Sequence, residues 1–159
     1  MSTVTIDTFV NGQRVTRQVA PRMTLAEFLR DDLGLTGTKV SCEMQVCGAC
    51  TVLIDDMPVS ACTYLAADAD SRRITTVEGL AHGDELHPIQ AAFVENFAIQ
   101  CGFCTPGFVM MTAALLRENP APTAEEVAEY MDGNICRCTG YKPILSAVLD
   151  AAERLRGTE

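Results

Sequence analysis

Eight cysteines fall into two sets of four, and any fold open to this chain has to gather each set. The first set reads Cys42-x4-Cys47-x2-Cys50, followed by Cys62 after eleven further residues. The second reads Cys101-x2-Cys104, then Cys136-x-Cys138 after an interval of 31 residues. No cysteine is left over. Because the spacings differ, the second set is not a duplicate of the first.

The C-x4-C-x2-C…C pattern of the first set is the spacing of plant-type [2Fe–2S] sites. Two other chemistries could use eight cysteines. A secreted disulfide scaffold would need an oxidising compartment. The N-terminus, Met1-Ser2-Thr3-Val4-Thr5-Ile6-Asp7, has no basic region followed by an apolar core, so it does not read as a secretory signal. No apolar run approaches the roughly 18 residues of a membrane span. The chain therefore reads as soluble and cytoplasmic, with thiols held reduced. Structural zinc also favours four thiolates. The first set lacks the paired C-x2-C knuckles of zinc sites, and the second pairs one knuckle with a C-x-C across a longer interval than zinc sites use. Two [2Fe–2S] clusters, and hence electron transfer, are the expectation. A net charge of −9 excludes the basic stripe a nucleic-acid partner would require.

Periodicity divides the 159 residues. Val4, Ile6, Thr8 and Val10 alternate with Thr5, Asp7 and Phe9, Asn11-Gly12 offers a two-residue hairpin turn, and Val15, Arg17 and Val19 return. Thr24-Leu25-Ala26-Glu27 is a capping box, with Leu25, Phe28, Leu29 and Leu33 on one helical face and Gly34 ending the helix. The cysteine loop comes next, then strands over Thr51–Ile54, Met57–Ala61 and Arg73–Val77, with a turn at Asp55-Asp56. This is the order of a β-grasp, ferredoxin-like domain. At E-G-L-A-H-G-D-E, from Glu78 to Glu85, the period changes from two to 3.6. We place a ferredoxin-like domain at 1–78, a linker at 79–86 and a helical domain at 87–159. Four helices are predicted there: from Pro88, from Thr105-Pro106-Gly107 to about Glu118, from the capping box Thr123-Ala124-Glu125-Glu126 to about Met131, and from Pro143. The fold class is α+β, a β-grasp followed by a four-helix bundle-like domain.

An oxidised [2Fe–2S] cluster with four thiolates carries a net negative charge that converging backbone N–H groups must offset. Gly48 leaves the first loop free to approach closely. In the second set, Cys101 and Cys104 lie just before one predicted helix, and Cys136 and Cys138 just before another, so two positive helix ends are available. A C-x-C pair points its side chains alike only in extended chain, so Asn134 to Cys138 should not be helical.

The motifs T-G-T-K-x-x-C-x-x-x-x-C-G-A-C-T-V-L, Q-C-G-F-C-T-P-G-F and N-I-C-R-C-T-G-Y, in this order, resemble the small iron–sulfur subunit of the molybdenum hydroxylase (xanthine oxidase/dehydrogenase) family. The resemblance spans essentially the whole chain. It implies that the helical domain's cluster faces a molybdenum–pterin cofactor on a large subunit, and that the ferredoxin-like domain's cluster faces FAD on a medium subunit. The complex would be a hetero-oligomer such as a dimer of heterotrimers. The resemblance also implies that Gln100 and Cys138 approach the pterin, and that substrate chemistry takes place on the large subunit. An alternative is a free-standing two-cluster carrier. One departure concerns the first loop, where frequent glycines of the family are Ser41 and Gln45 here. If position 45 is left-handed, Gln costs about 1–2 kcal/mol there.

The remaining conspicuous residues read as structural. Met110, Met111, Phe108, Val109 and Leu115 are expected in the bundle core or an interface. His82 and His87 are expected at the surface. Tyr141 is expected to pack near the second set, while Arg137 and Lys39 either offset cluster charge or are solvated.

Overall fold

The computed structural model describes residues 2–157. Strands β1 (Val4–Val10) and β2 (Gln13–Val19) form the expected hairpin, paired antiparallel from Val4↔Val19 to Val10↔Gln13. Its turn has Asn11 at φ 50 and Gly12 at φ 79, the left-handed pair that a two-residue hairpin needs. Strands β3 (Thr51–Ile54), β4 (Met57–Ser60) and β5 (Arg73–Thr75) complete one sheet in the order β2-β1-β5-β3-β4. β5 runs parallel to β1 and antiparallel to β3. Asp55 (φ 48) and Asp56 (φ 73) make the β3–β4 turn.

The capping box at Thr24 forms, with Thr24 N–H donating to Glu27 Oε2 (2.8 Å) and Glu27 N–H to Thr24 Oγ1 (3.2 Å). The helix differs from the expected regular one. Helix α1 (Leu25–Glu27) is one α-turn and continues as a π-helical turn over Phe28–Asp32. That wider turn keeps Leu25, Phe28 and Leu29 fully buried against Ile6, Val10, Val19 and Ile74. The last predicted strand is also shorter, since the chain turns into a 3-10 helix at Val77–Gly79.

The helical half consists of α2 (Pro88–Glu95), α3 (Thr105–Glu118), α4 (Ala124–Tyr130) and α5 (Lys142–Arg156). Ile89, Phe93, Phe108, Val109, Ile144, Ala147 and Val148 fill its core. Thr123 and Glu126 cap α4 reciprocally. His87 is not a plain surface residue as expected, because its ring caps α2, with Nδ1 accepting from Ile89 N–H (3.2 Å). Met110 turns away from the bundle core and packs with Ala114 on Leu53 of β3, joining the two halves. Among the described residues no helix is long and apolar enough to cross a membrane.

Candidate metal centre

All eight thiols are free, and neighbouring sulfurs form four pairs. Cys42 interacts with Cys47, and Cys50 with Cys62, side chain to side chain. Cys104 meets Cys136, and the sulfurs of Cys101 and Cys138 lie 3.5 Å apart. Each set of four is thus two pairs, with partners drawn from within the set. A [2Fe–2S] cluster takes two thiolates per iron.

The first loop, 42–50, carries almost no regular structure and is shaped by left-handed residues. Glu43 (φ 54), Gln45 (φ 62) and Gly48 (φ 70) curl the chain. That curl turns amides toward sulfur, and Val46 N–H points at Cys42 Sγ (3.4 Å). Amide donation from Met44 and Val46 brings the Cys42 thiol down to about 6. Cys50 and Cys62 are buried, and burial pushes the Cys50 thiol up to about 12. A thiol held as thiolate in the same set as buried ones suits cation capture, because a bound metal deprotonates the remaining thiols.

The base of the loop is anchored from α1's side. Arg30 Nη1 donates to the carbonyls of Thr36 (3.0 Å) and Thr38 (2.7 Å). Lys39 Nζ donates to Thr36 O (2.7 Å), so it supports the backbone of this segment.

The second set sits between helix starts. Cys104 is the residue immediately before α3, and Tyr141 stands immediately before α5 with φ 68. Phe108 of α3 meets the Tyr141 ring edge-on, with centroids 6.4 Å apart, so the two helix starts are clamped together. The Tyr141 hydroxyl accepts from Cys136 N–H (3.1 Å). Residues 134–138 are not helical, as the C-x-C spacing requires. Burial acts to raise the Cys136 thiol, but the Thr139 hydroxyl (3.1 Å) and N–H (3.4 Å) on its sulfur outweigh it and leave it lowered. Phe103 N–H lowers the Cys101 thiol, whereas burial pushes Cys104 up to about 12. Cys101, Cys104, Cys136 and Cys138 line one cavity of about 210 Å³ together with Cys47 and Ala49 of the first loop. Donor set, amides and space together fit an iron–sulfur cluster.

Cys101, Cys138 and Gln100 are exposed, beside an 83% exposed Phe97 at φ 54. Arg137 is exposed on the rim of the same cavity.

The two loops touch. Ile135 N–H donates to Cys47 O (3.0 Å), and Asn134 Nδ2 donates to Gly48 O (3.2 Å). A Cβ on Gly107 of α3 would lie 2.2 Å from that same Gly48 oxygen. Sequence reasoning overlooked Asn134, Gly107 and Thr139. Asn134 and Thr139 stand inside N-I-C-R-C-T-G-Y, Gly107 inside Q-C-G-F-C-T-P-G-F, so the signal was available within motifs already singled out for other residues.

Comparison with known proteins agrees in both halves. Residues 8–78 match a family described as 2Fe-2S iron-sulfur cluster binding domain, and residues 76–149 match a [2Fe-2S] binding domain. The chain is 55% identical over 148 residues to the nicotine 6-hydroxylase small subunit of Paenarthrobacter nicotinovorans, covering 93% of this chain and 89% of that one. It is 44% identical to the xanthine dehydrogenase iron-sulfur-binding subunit of Escherichia coli O157:H7, covering 93% and 94%. The crystal structure of quinoline 2-oxidoreductase from Pseudomonas putida 86 superposes with a TM-score of 0.94 at 46% identity, covering 99% of this chain and 98% of that one.

Proposed function

The chain belongs to the small [2Fe–2S] subunits of the molybdenum hydroxylase family, and from that premise we propose how its own residues serve the complex. It is the electron-transfer subunit of an oxidoreductase, working with partner subunits. The observation that carries the residue assignment is the pairing of the thiols. Cys42 with Cys47 and Cys50 with Cys62 hold the two irons of one cluster. Cys101 with Cys138 and Cys104 with Cys136 hold those of the other. When bound, such a cluster takes up and releases single electrons.

A ferredoxin-like domain at 1–78 and a helical domain at 87–159, joined by 79–86, carry one cluster each. Partner subunits carry a molybdenum–pterin cofactor on the large chain and FAD on the medium chain, within a cytoplasmic hetero-oligomer such as a dimer of heterotrimers. The exposure of Gln100, Cys101 and Cys138 supports the second cluster as the entrance for electrons from the pterin. A partner covering this face would also bury Phe97. Between the clusters, the Cys47 carbonyl and Ile135 N–H supply a single hydrogen-bonded step from one ligand residue to the neighbour of another. The first cluster is then the exit. Met44 and Val46, both exposed on its loop, face the acceptor.

The native complex tests this directly. Reduced, it should show two distinct [2Fe–2S] signals by electron paramagnetic resonance, together with bound molybdenum and pterin. Cys138→Ser should abolish only the second signal, and Cys62→Ser only the first. A complex holding zinc without inorganic sulfide, or lacking molybdenum, would refute the reading.

A further inference from the structure

The hydrogen bonds between the cluster loops converge on one oxygen. Gly48 O accepts from Thr51 N–H (3.2 Å), Thr51 Oγ1 (2.7 Å) and Asn134 Nδ2 (3.2 Å). The first two donors belong to Thr51, the first residue of β3, three positions after the acceptor. Only Asn134 reaches it from the other cysteine set. Its side chain is 3% exposed, so it works without competition from water. Its backbone is fixed separately, through Asn134 N–H to Met131 O (2.9 Å) at the end of α4. Gly48 has to be a glycine for this contact, since a Cβ there would lie 2.5 Å from Asn134 Nδ2. Gly107 has to be one as well, since its own Cβ would collide with the same oxygen. Three motifs therefore close on one point, and each cysteine loop is within two residues of it.

We propose that Asn134 is a positioning residue that sets the separation of the two clusters, and with it the rate of electron passage between them. The inference rests on the two-cluster reading above. Asn134 touches no sulfur in the structure's hydrogen bonds. Its effect runs through the Gly48 carbonyl, next to Cys47, and through Ile135, next to Cys136. Losing the amide leaves the Ile135–Cys47 bond as the one hydrogen bond, among the described residues, between loops that both lack regular structure.

The experiment uses the native complex carrying Asn134→Leu, which keeps the volume and removes the donor. Thr51→Val serves as the comparison, because it removes a donor to the same oxygen from the start of β3, on the same side as the acceptor. Iron, sulfide and the two separate resonance signals report whether both clusters are present. Their absence from the parent complex would sink the two-cluster reading itself. With both present, the fully reduced Asn134→Leu complex should show weaker magnetic coupling between the clusters. Inter-cluster electron passage after rapid reduction should slow severalfold. Thr51→Val should lower thermal stability and leave the coupling as it was. Should Asn134→Leu lose a cluster, Gly107→Ala addresses the same oxygen from α3 without altering residues 134–138, and should weaken the coupling likewise. Unchanged coupling in a variant that retains both clusters overturns the proposal. So does loss of a cluster in both variants, which would make the contact a requirement for holding iron.

Discussion

Gln45 occupies a left-handed backbone position, φ 62, in the middle of the first cysteine loop. A side chain bearing a Cβ costs about 1–2 kcal/mol there relative to glycine. Part of that is offset by Thr63 Oγ1, which donates to Gln45 Oε1 (3.2 Å) and ties the loop to the segment after Cys62. The bond is exposed, so it recovers only a fraction of the strain. Gln45→Gly should therefore stabilise the chain by about 1 kcal/mol, raising the temperature at which cluster absorbance bleaches by about 2–4 °C. A fall in that temperature would mean that the Thr63 tether outweighs the strain. The departure from glycine was visible in the sequence as an isolated oddity. The tether was not, because Thr63 follows the fourth ligand by one position and carries no motif of its own.

At the scale of the element, the helix starts matter most, and they show what the sequence could and could not disclose. Both capping boxes were legible because a hydroxyl and a carboxylate three residues apart can satisfy each other locally. The π-turn at Phe28–Asp32 was not, since the apolar spacing that predicts a helix says little about which hydrogen-bond ladder closes it. His87 was misread as a surface residue for a related reason. A histidine cap depends on which ring nitrogen faces the helix, and no sequence pattern encodes that. The consequence is a pH dependence. Burial, with His82 nearby, lowers His87 below its ordinary value near 6.5, and the Nδ1 cap exists only while that nitrogen is unprotonated. The unfolded chain therefore binds the proton more readily than the folded one. The cap's contribution is fully present above pH 6.5 and is lost as pH falls through the lowered folded value. A cap is typically worth about 1 kcal/mol. His87→Asn retains an acceptor that does not titrate. As pH falls below 6.5 the parent should lose more stability than the variant, by up to about 1 kcal/mol, measured by denaturant unfolding. Parallel profiles for the two would exclude the cap as the source.

For the molecule as a whole, the question is what makes two small folds into one conductor. Metal chemistry restricts spacing, so the two cysteine sets could be proposed from the sequence, but their contact could not, since it depends on Gly48, Gly107 and Asn134 meeting from three separate stretches. β3 shows the same limit. It is buried throughout, with Val52 and Ile54 in the core beneath the sheet and Leu53 turned to the other face. Alternation predicts that inversion, but not that α3 would cover it with Met110 and Ala114. Arg117 of α3 also pairs with Asp56 in the β3–β4 turn. Both groups are more than half exposed, so that ion pair contributes at most about 1 kcal/mol. Met110 is fully buried, and truncating such a side chain costs about 2–5 kcal/mol. The apolar seam therefore outweighs the ion pair in joining the halves. Calorimetry of the cluster-loaded chain should give one transition for the parent and for Arg117→Met. Met110→Ala should split it into two, because each half keeps its own core, around Phe28 in one and Phe108 in the other, while losing the side chain that couples them. A single transition merely displaced to lower temperature would locate the coupling in the cysteine loops, at the Gly48 carbonyl, and not in the seam.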